Sequence, residues 1–206
     1  EAALRHVVAV DDGLSSSQRR AAILAKASQR SSGAKVLVTG GTGYVGAFLC
    51  RALAEREDVS EVVAVVRAAD DDKASQRLRG NCEARLGELG DWYAKIKAVA
   101  GKLDAENFGL STDLVETLDV VVHGAAEVNM VKPPSLLEAS NVGGTKLAAE
   151  LALRAKAPLL FTSTMLPLEG EAPTGYRLSK DAAEKVLEAA ARDAGAVCCT
   201  LQIGDL

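Results

Sequence analysis

The segment Lys35 to Gly46 reads Lys-Val-Leu-Val-Thr-Gly-Gly-Thr-Gly-Tyr-Val-Gly, a short apolar run entering a Gly-x-x-Gly-x-x-Gly loop. A strand followed at once by such a loop and then by a helix leaves few folds open. Gly40 permits a tight turn, Gly43 lets backbone approach a pyrophosphate, and Gly46 lets the helix pack closely on the strand. The helix then offers unpaired N–H groups and the positive end of its dipole to phosphates. An isolated glycine triplet serves equally well as an ordinary turn, so the strand-loop-helix context carries the reading.

The rest of the chain continues the pattern. Strands are expected at Lys35 to Thr39, Glu61 to Val66, Ile96 to Ala100, Asp119 to His123, Pro158 to Thr162 and Ala196 to Ile203. Helices are expected at Tyr44 to Arg56, Lys73 to Leu89, Leu136 to Lys156 and Tyr176 to Ala194, with a shorter one near Asp113 to Leu118. Uninterrupted apolar strands alternating with helices mean a parallel sheet covered on both faces. The fold class is therefore α/β, a doubly wound Rossmann-type sheet of six strands spanning residues 35–206 as an NAD(P)-binding domain. Residues 1–34 read as an N-terminal arm or linker: an apolar run at Val7 to Val10, then a helix capped by a serine and stopped near Gly33. The first residue is Glu1, so the chain is expected to be a processed product or a piece of a longer one.

Composition narrows the class of partner. Lys plus Arg is 24 against 28 for Asp plus Glu, a net charge of −4, which lacks the basic excess that phosphate-backbone binding needs. Aromatic residues are only 3%, so base stacking is poorly supplied and nucleic acid is not an expected partner. No run approaches the roughly 20 apolar residues of a transmembrane segment, and a soluble chain is expected. Cys50, Cys82, Cys198 and Cys199 show no Cys-x-x-Cys spacing, which fits a reducing compartment, cytoplasm or organelle interior, and no metal site.

Three places in the chain speak to chemistry. Arg67 ends the second strand, where an arginine pairs with a 2′-phosphate and a carboxylate would bind a ribose hydroxyl, so NADPH is expected over NADH, with Asp70, Asp71 and Asp72 close by. Tyr176 and Lys180 stand four residues apart at the start of a predicted helix and project from one face. The lysine ammonium and an oxidised nicotinamide would lower the tyrosine pKa and make it a usable acid and base. Ser163 and Thr164 end the preceding strand, where a hydroxyl can hydrogen-bond a developing oxyanion.

In this order the sequence resembles the extended branch of the short-chain dehydrogenase/reductase superfamily. The resemblance rests on Thr39 to Gly46, His123-Gly124-Ala125-Ala126, Asn141-Val142-Gly143-Gly144-Thr145, Ser163-Thr164 and Tyr176-Arg177-Leu178-Ser179-Lys180. Val66-Arg67-Ala68, Arg77-Leu78, Gly90-Asp91-Trp92, Phe108-Gly109-Leu110-Ser111 and Ala125-Ala126-Glu127-Val128-Asn129 are similar to the thioester-reductase domains of nonribosomal peptide synthetases and carboxylic acid reductases. The resemblance implies hydride transfer from NADPH to an acyl thioester on a carrier domain, releasing an aldehyde. It implies Tyr176 as proton donor, Lys180 on the ribose, and Thr164 or Ser163 orienting the oxygen, with Asn129 and Asn141 as lesser candidates. It also implies a cofactor cradle of Thr39, Gly40, Thr42, Gly43, Tyr44, Val45, Gly46, Arg67, Gly124 and Ala125 with Tyr176 and Lys180.

The chain departs from that family at Gly101-Lys102-Leu103, where Gly-Asp-Leu is usual, and at Gln202-Ile203-Gly204, where Arg-Pro-Gly is usual. The stretch between Thr164 and Tyr176 is short, and the family's substrate-binding part lies mainly beyond the sixth strand. These departures define the alternative reading, a reductase-fold accessory subunit with little or no activity that binds NADPH in a larger, even organellar, assembly. A nucleotide-sugar epimerase or dehydratase of the same superfamily is the third reading.

Overall fold

A computed structural model describes residues 12–165 and 172–204. The apolar run at Val7 to Val10 lies outside the described residues. Six parallel strands form one sheet in the order β3-β2-β1-β4-β5-β6. They are β1 (Ala34–Thr39), β2 (Val59–Val66), β3 (Ile96–Ala100), β4 (Val120–His123), β5 (Leu159–Thr164) and β6 (Cys198–Ile203). The helices are α1 (Ser16–Ser28), α2 (Tyr44–Ala54), α3 (Asp71–Leu86), α4 (Thr112–Glu116), α5 (Gly144–Ala155) and α6 (Gly175–Ala189). This is the expected Rossmann-type architecture, with strand ends displaced by one or two residues.

Alternation along each strand divides the core between two faces. Val36, Val38, Val62, Ala64 and Val66 pack with Cys50, Ala54, Ala74, Leu78 and Cys82 of α2 and α3. Leu37, Val63, Val65, Val121, Leu159 and Phe161 pack with α5, α6 and Ile23 of α1. Both faces are covered over β1, β2, β4 and β5, which is why those strands read as continuous apolar runs, while the edge strand β6 is largely exposed. Helix α3 shows the minimum needed for docking, since only Ala74, Leu78 and Cys82, spaced four apart, are buried.

Two expected helices contain wider turns. The segment preceding α5 is π-helical over Glu138–Gly143, and α6 continues as a π-helical stretch over Ala190–Ala194. The first of these turns Asn141 inward, where it is 2% exposed.

Helix α1 is held by a capping box, with Ser15 accepting from the Gln18 N–H while the Gln18 side chain accepts from the Ser15 N–H. It lies across the amino edge of the sheet and caps other helices. The Lys26 ammonium donates to the carbonyls of Leu118 at 2.6 Å, Ala155 at 2.7 Å and Glu116 at 3.2 Å. The C-terminal ends of α4 and α5 thereby share one cation. Arg20 donates to the Ala191 carbonyl at 2.7 Å and Arg19 to that of Ala194 at 3.3 Å, beside the end of the α6 rod.

Candidate active site

The strand order reverses between β1 and β4, and the chain ends leaving these two strands meet there. In open parallel sheets ligands bind in this crevice. A Cβ on Gly40 would stand 2.7 Å from the Ala125 nitrogen, and Gly40 has φ +80, so both space and backbone demand glycine. A Cβ on Gly46 would reach 2.0 Å from the Gly40 carbonyl oxygen, the close helix-loop approach expected of the third glycine. Gly43 caps α2 without a side-chain hydrogen bond, and no acidic residue stands in the first turn. The N–H groups of Tyr44, Val45 and Gly46 therefore face outward without intrahelical partners, a cradle suited to a pyrophosphate.

Thr39 supports this loop from within. It is fully buried, and its hydroxyl lies 2.8 Å from His123 Nδ1 while accepting from the Ala125 N–H at 3.2 Å. Either neutral His123 tautomer satisfies this contact, since a hydroxyl both donates and accepts. Nε2 is buried and has no hydrogen-bond partner among the described residues. The ring is stacked between Phe108 and Phe161, with centroids at 6.1 and 5.9 Å. Burial, with a smaller push from the Lys180 charge, drives the His123 pKa down to about 3.

At the end of β2 the Arg67 side chain is exposed and makes no hydrogen bond or ion pair among the described residues. Two of the neighbouring carboxylates are occupied elsewhere: Asp70 accepts from the Lys73 N–H at 2.7 Å as the α3 cap, and Asp71 accepts from the Ala100 N–H at 2.7 Å. Each commits one carboxylate oxygen to these bonds. Arg77, one and a half turns into α3, folds back to donate to the Arg67 backbone carbonyl at 2.7 Å, so its guanidinium lies against the end of β2. Sequence reasoning missed Arg77 as a site residue, although its position on the exposed side of α3 was readable from the Ala74, Leu78 and Cys82 stripe.

Helix α6 begins at Thr174, whose hydroxyl accepts from the Arg177 N–H at 3.2 Å. Gly175 follows, where a Cβ would stand 2.1 Å from the Lys132 carbonyl, so the loop after β4 rests directly on this first turn. Tyr176 is half-buried and burial pushes its phenol pKa up. Burial is the cause here, and Lys180 adds no lowering in the chain without a nicotinamide. The ammonium turns inward instead, donating to the Thr162 carbonyl at 2.5 Å and lying 4.0 Å from the centre of the Phe161 ring. Burial pulls the Lys180 pKa down to about 8, against the opposing pull of Glu184.

The two hydroxyls of β5 part company because successive strand residues face opposite sides. Ser163 is buried and donates to the Glu184 carboxylate of α6, while Thr164 is half-exposed at the strand end. Asn141 joins three elements: it accepts from the Glu127 N–H at 2.7 Å and donates to the Glu127 carbonyl at 3.1 Å and to Ser179 Oγ at 2.9 Å. Asn129 closes its own turn, accepting from the Val131 and Lys132 N–H groups at 3.0 and 2.8 Å. Among the described residues no group of three or more His, Cys, Asp or Glu is placed to hold a metal, and no helix is long and apolar enough to cross a membrane.

Comparison with known proteins agrees with this geometry. The NAD-binding family described as male sterility protein matches residues 38–172. The large subunit of L-2-aminoadipate reductase from Penicillium chrysogenum is 41% identical over 127 residues, covering 59% of this chain and 9% of that protein. The isonitrile lipopeptide synthase of Streptomyces coeruleorubidus is 34% identical over 178 residues, covering 76% of this chain and 12% of that protein. The crystal structure of the terminal R domain from the myxalamid PKS-NRPS biosynthetic pathway superposes with a TM-score of 0.76 at 29% identity, over 90% of this chain and 56% of that one. The chain thus spans about a tenth of the curated relatives it matches and about half of that R domain.

Proposed function

The chain belongs to the NAD-binding family described as male sterility protein, and from that premise we propose that it is the cofactor-binding part of an NADPH-dependent reductase that releases a carrier-bound acyl thioester as an aldehyde. What supports the reading is that one end of the sheet carries the glycine loop opening α2, Arg67 with Arg77 against its backbone carbonyl, and the first turn of α6 with Tyr176 and Lys180. The names of the relatives, an aminoadipate reductase and a lipopeptide synthase, supply the substrate class. We propose further that residues 35–206 make up this cofactor-binding unit, with α1 docked on it.

When bound, NADPH supplies the hydride. The first-turn N–H groups of α2 would hold its pyrophosphate, and Arg67 with Arg77 would meet the 2′-phosphate by charge-assisted hydrogen bonds. Lys180, turned inward to the Thr162 carbonyl in this structure, would hold the nicotinamide ribose on swinging outward. Tyr176, kept protonated at neutral pH by its burial, gives the Oη proton to the thioester oxygen as negative charge develops there. Ser163 has already spent its proton on Glu184, so Thr164 is the hydroxyl free to donate to the same oxygen. The carbonyl carbon would gain the hydride to give a hemithioacetal; as its bond to sulfur breaks, the oxygen returns its proton through Tyr176 to the departing thiolate, so one hydride and one proton yield aldehyde and free carrier thiol.

The test is an assay of the full-length protein with NADPH and an acyl thioester of a carrier domain, following NADPH oxidation, free thiol and aldehyde together. Equal amounts of the three are expected. Absence of NADPH binding up to millimolar concentration would overturn the reading in favour of the accessory subunit, and turnover of a nucleotide sugar without net NADPH consumption would favour the epimerase. For cofactor choice, Arg67→Ala is expected to reduce the preference for NADPH over NADH by about 10- to 100-fold, the loss of one or two charge-assisted hydrogen bonds. An unchanged affinity ratio would remove Arg67 from the 2′-phosphate site.

A further inference from the structure

Glu184 stands outside the catalytic set described above, yet it touches that set from two sides. It lies on α6 one turn beyond Lys180, so both side chains leave the same helix face toward β5. Its carboxylate accepts the Ser163 hydroxyl, which fixes it against the strand that also supplies the Thr162 carbonyl to the Lys180 ammonium. Lys180 is 2% exposed and its surroundings are otherwise poor in compensating charge. Apart from Tyr176 one turn before it, the titratable groups that bear on it are Glu184 on its own helix and His123 from β4. From β5 it meets the Phe161 ring and the Thr162 carbonyl, and the 138–143 turn reaches its neighbour Ser179 through Asn141, none of which titrates.

We propose that Glu184 is a positioning residue: anchored by Ser163, its carboxylate holds Lys180 as an ammonium aimed along β5. A buried lysine beside a ring and a neutral histidine is otherwise drawn toward the uncharged amine, which cannot serve as a cationic ribose donor. Glu184 is the group that opposes this pull. Ser163 thereby acquires a role the catalytic reading did not give it, as the anchor of a carboxylate. The proposal rests on the reading that Lys180 belongs to the site, but its test does not depend on cofactor turnover.

The experiment follows the Lys180 ¹³Cε resonance of the 206-residue chain against pH, assigned through Lys180→Arg, in the wild type, Glu184→Gln and Glu184→Asp. Glutamine keeps an acceptor for Ser163 and removes the charge, so the Lys180 midpoint is expected to fall by about one pH unit. Aspartate, which keeps the charge at a longer reach, is expected to recover part of that fall. An unchanged midpoint in Glu184→Gln overturns the proposal, and so does a midpoint displaced equally by both substitutions, which marks a packing role. If the glutamine variant does not fold, Ser163→Ala takes its place by releasing the carboxylate from its anchor, a lowered midpoint supporting the proposal and an unchanged one overturning it. An NADPH titration of the same samples by nicotinamide fluorescence separates the two levels. A displaced midpoint in a chain that never binds NADPH leaves the Glu184 assignment standing and removes the reductase reading instead.

Discussion

Tyr176→Phe is expected to slow hydride transfer by about 10²- to 10⁴-fold while leaving NADPH affinity unchanged, the range by which a positioned proton donor accelerates such a step. The substitution removes one oxygen and keeps the ring, so the first turn of α6, the Thr174 cap and the seat of Gly175 against Lys132 stay as they are. What is lost is a donor present in the transition state and absent from cofactor binding, and this separates a fall in kcat from a change in Kd. The measurement is single-turnover NADPH oxidation in the full-length protein, paired with a cofactor titration. Wild-type turnover in the variant would sink the assignment. A matching loss of NADPH affinity would instead show that the phenol holds the cofactor.

The sheet was legible because a strand buried on both faces has no polar alternation to hide it. Each of the six apolar runs became a strand, and the order of the sheet follows from the glycine loop standing on β1. The ends drifted where hydroxyls prolong a strand. Ser163 and Thr164 extend β5 because they pair with Gln202 and Ile203, a register that the sequence of β5 alone does not disclose. The π-helical turn at Glu138–Gly143 was hidden for another reason, since a turn one residue wider leaves the apolar pattern of a helix almost unchanged. The cations of α1 were visible as composition, but their purpose depends on where α4, α5 and α6 end.

The candidate site was legible to the level of which residues gather, and less so to the level of what each touches. Spacing placed Tyr176 and Lys180 on one face, and they are on one face. A four-carbon side chain can still turn away from its neighbour, and Lys180 turns to the Thr162 carbonyl because a buried ammonium needs an acceptor. Strand alternation sends Ser163 and Thr164 to opposite sides, so only one of two adjacent hydroxyls is free to serve the reacting oxygen. Glu184 was readable in principle as the carboxylate four residues beyond Lys180. The strand-to-helix contact that gives it meaning lies outside any local pattern.

Acid is expected to destabilise the fold through His123 before most carboxylates are protonated. The folded-state pKa of about 3 lies far below the ordinary 6.5, chiefly because the ring is sealed from water between Phe108 and Phe161. Between those two values only the unfolded chain takes up the proton, so this group's contribution is intact above pH 6.5 and is lost progressively as pH falls toward 3. Each pH unit in that window costs on the order of 1 kcal/mol, which amounts to a few kcal/mol by pH 4.5, a large share of a typical domain's stability. Protonation would also place a charge at the buried contact of Nδ1 with the Thr39 hydroxyl, the clamp at the junction of the β1 and β4 loops beneath the glycine loop. Urea unfolding at pH 7.5, 6.0 and 4.5 measures the slope in the wild type and in His123→Gln, whose amide oxygen still accepts from Thr39 and does not titrate. The variant is expected to start less stable at pH 7.5, having lost the stacked ring, and to descend less steeply with acid. Parallel slopes in the two proteins would show that His123 is reached by water and titrates near its ordinary value, and the buried clamp would then have to be abandoned.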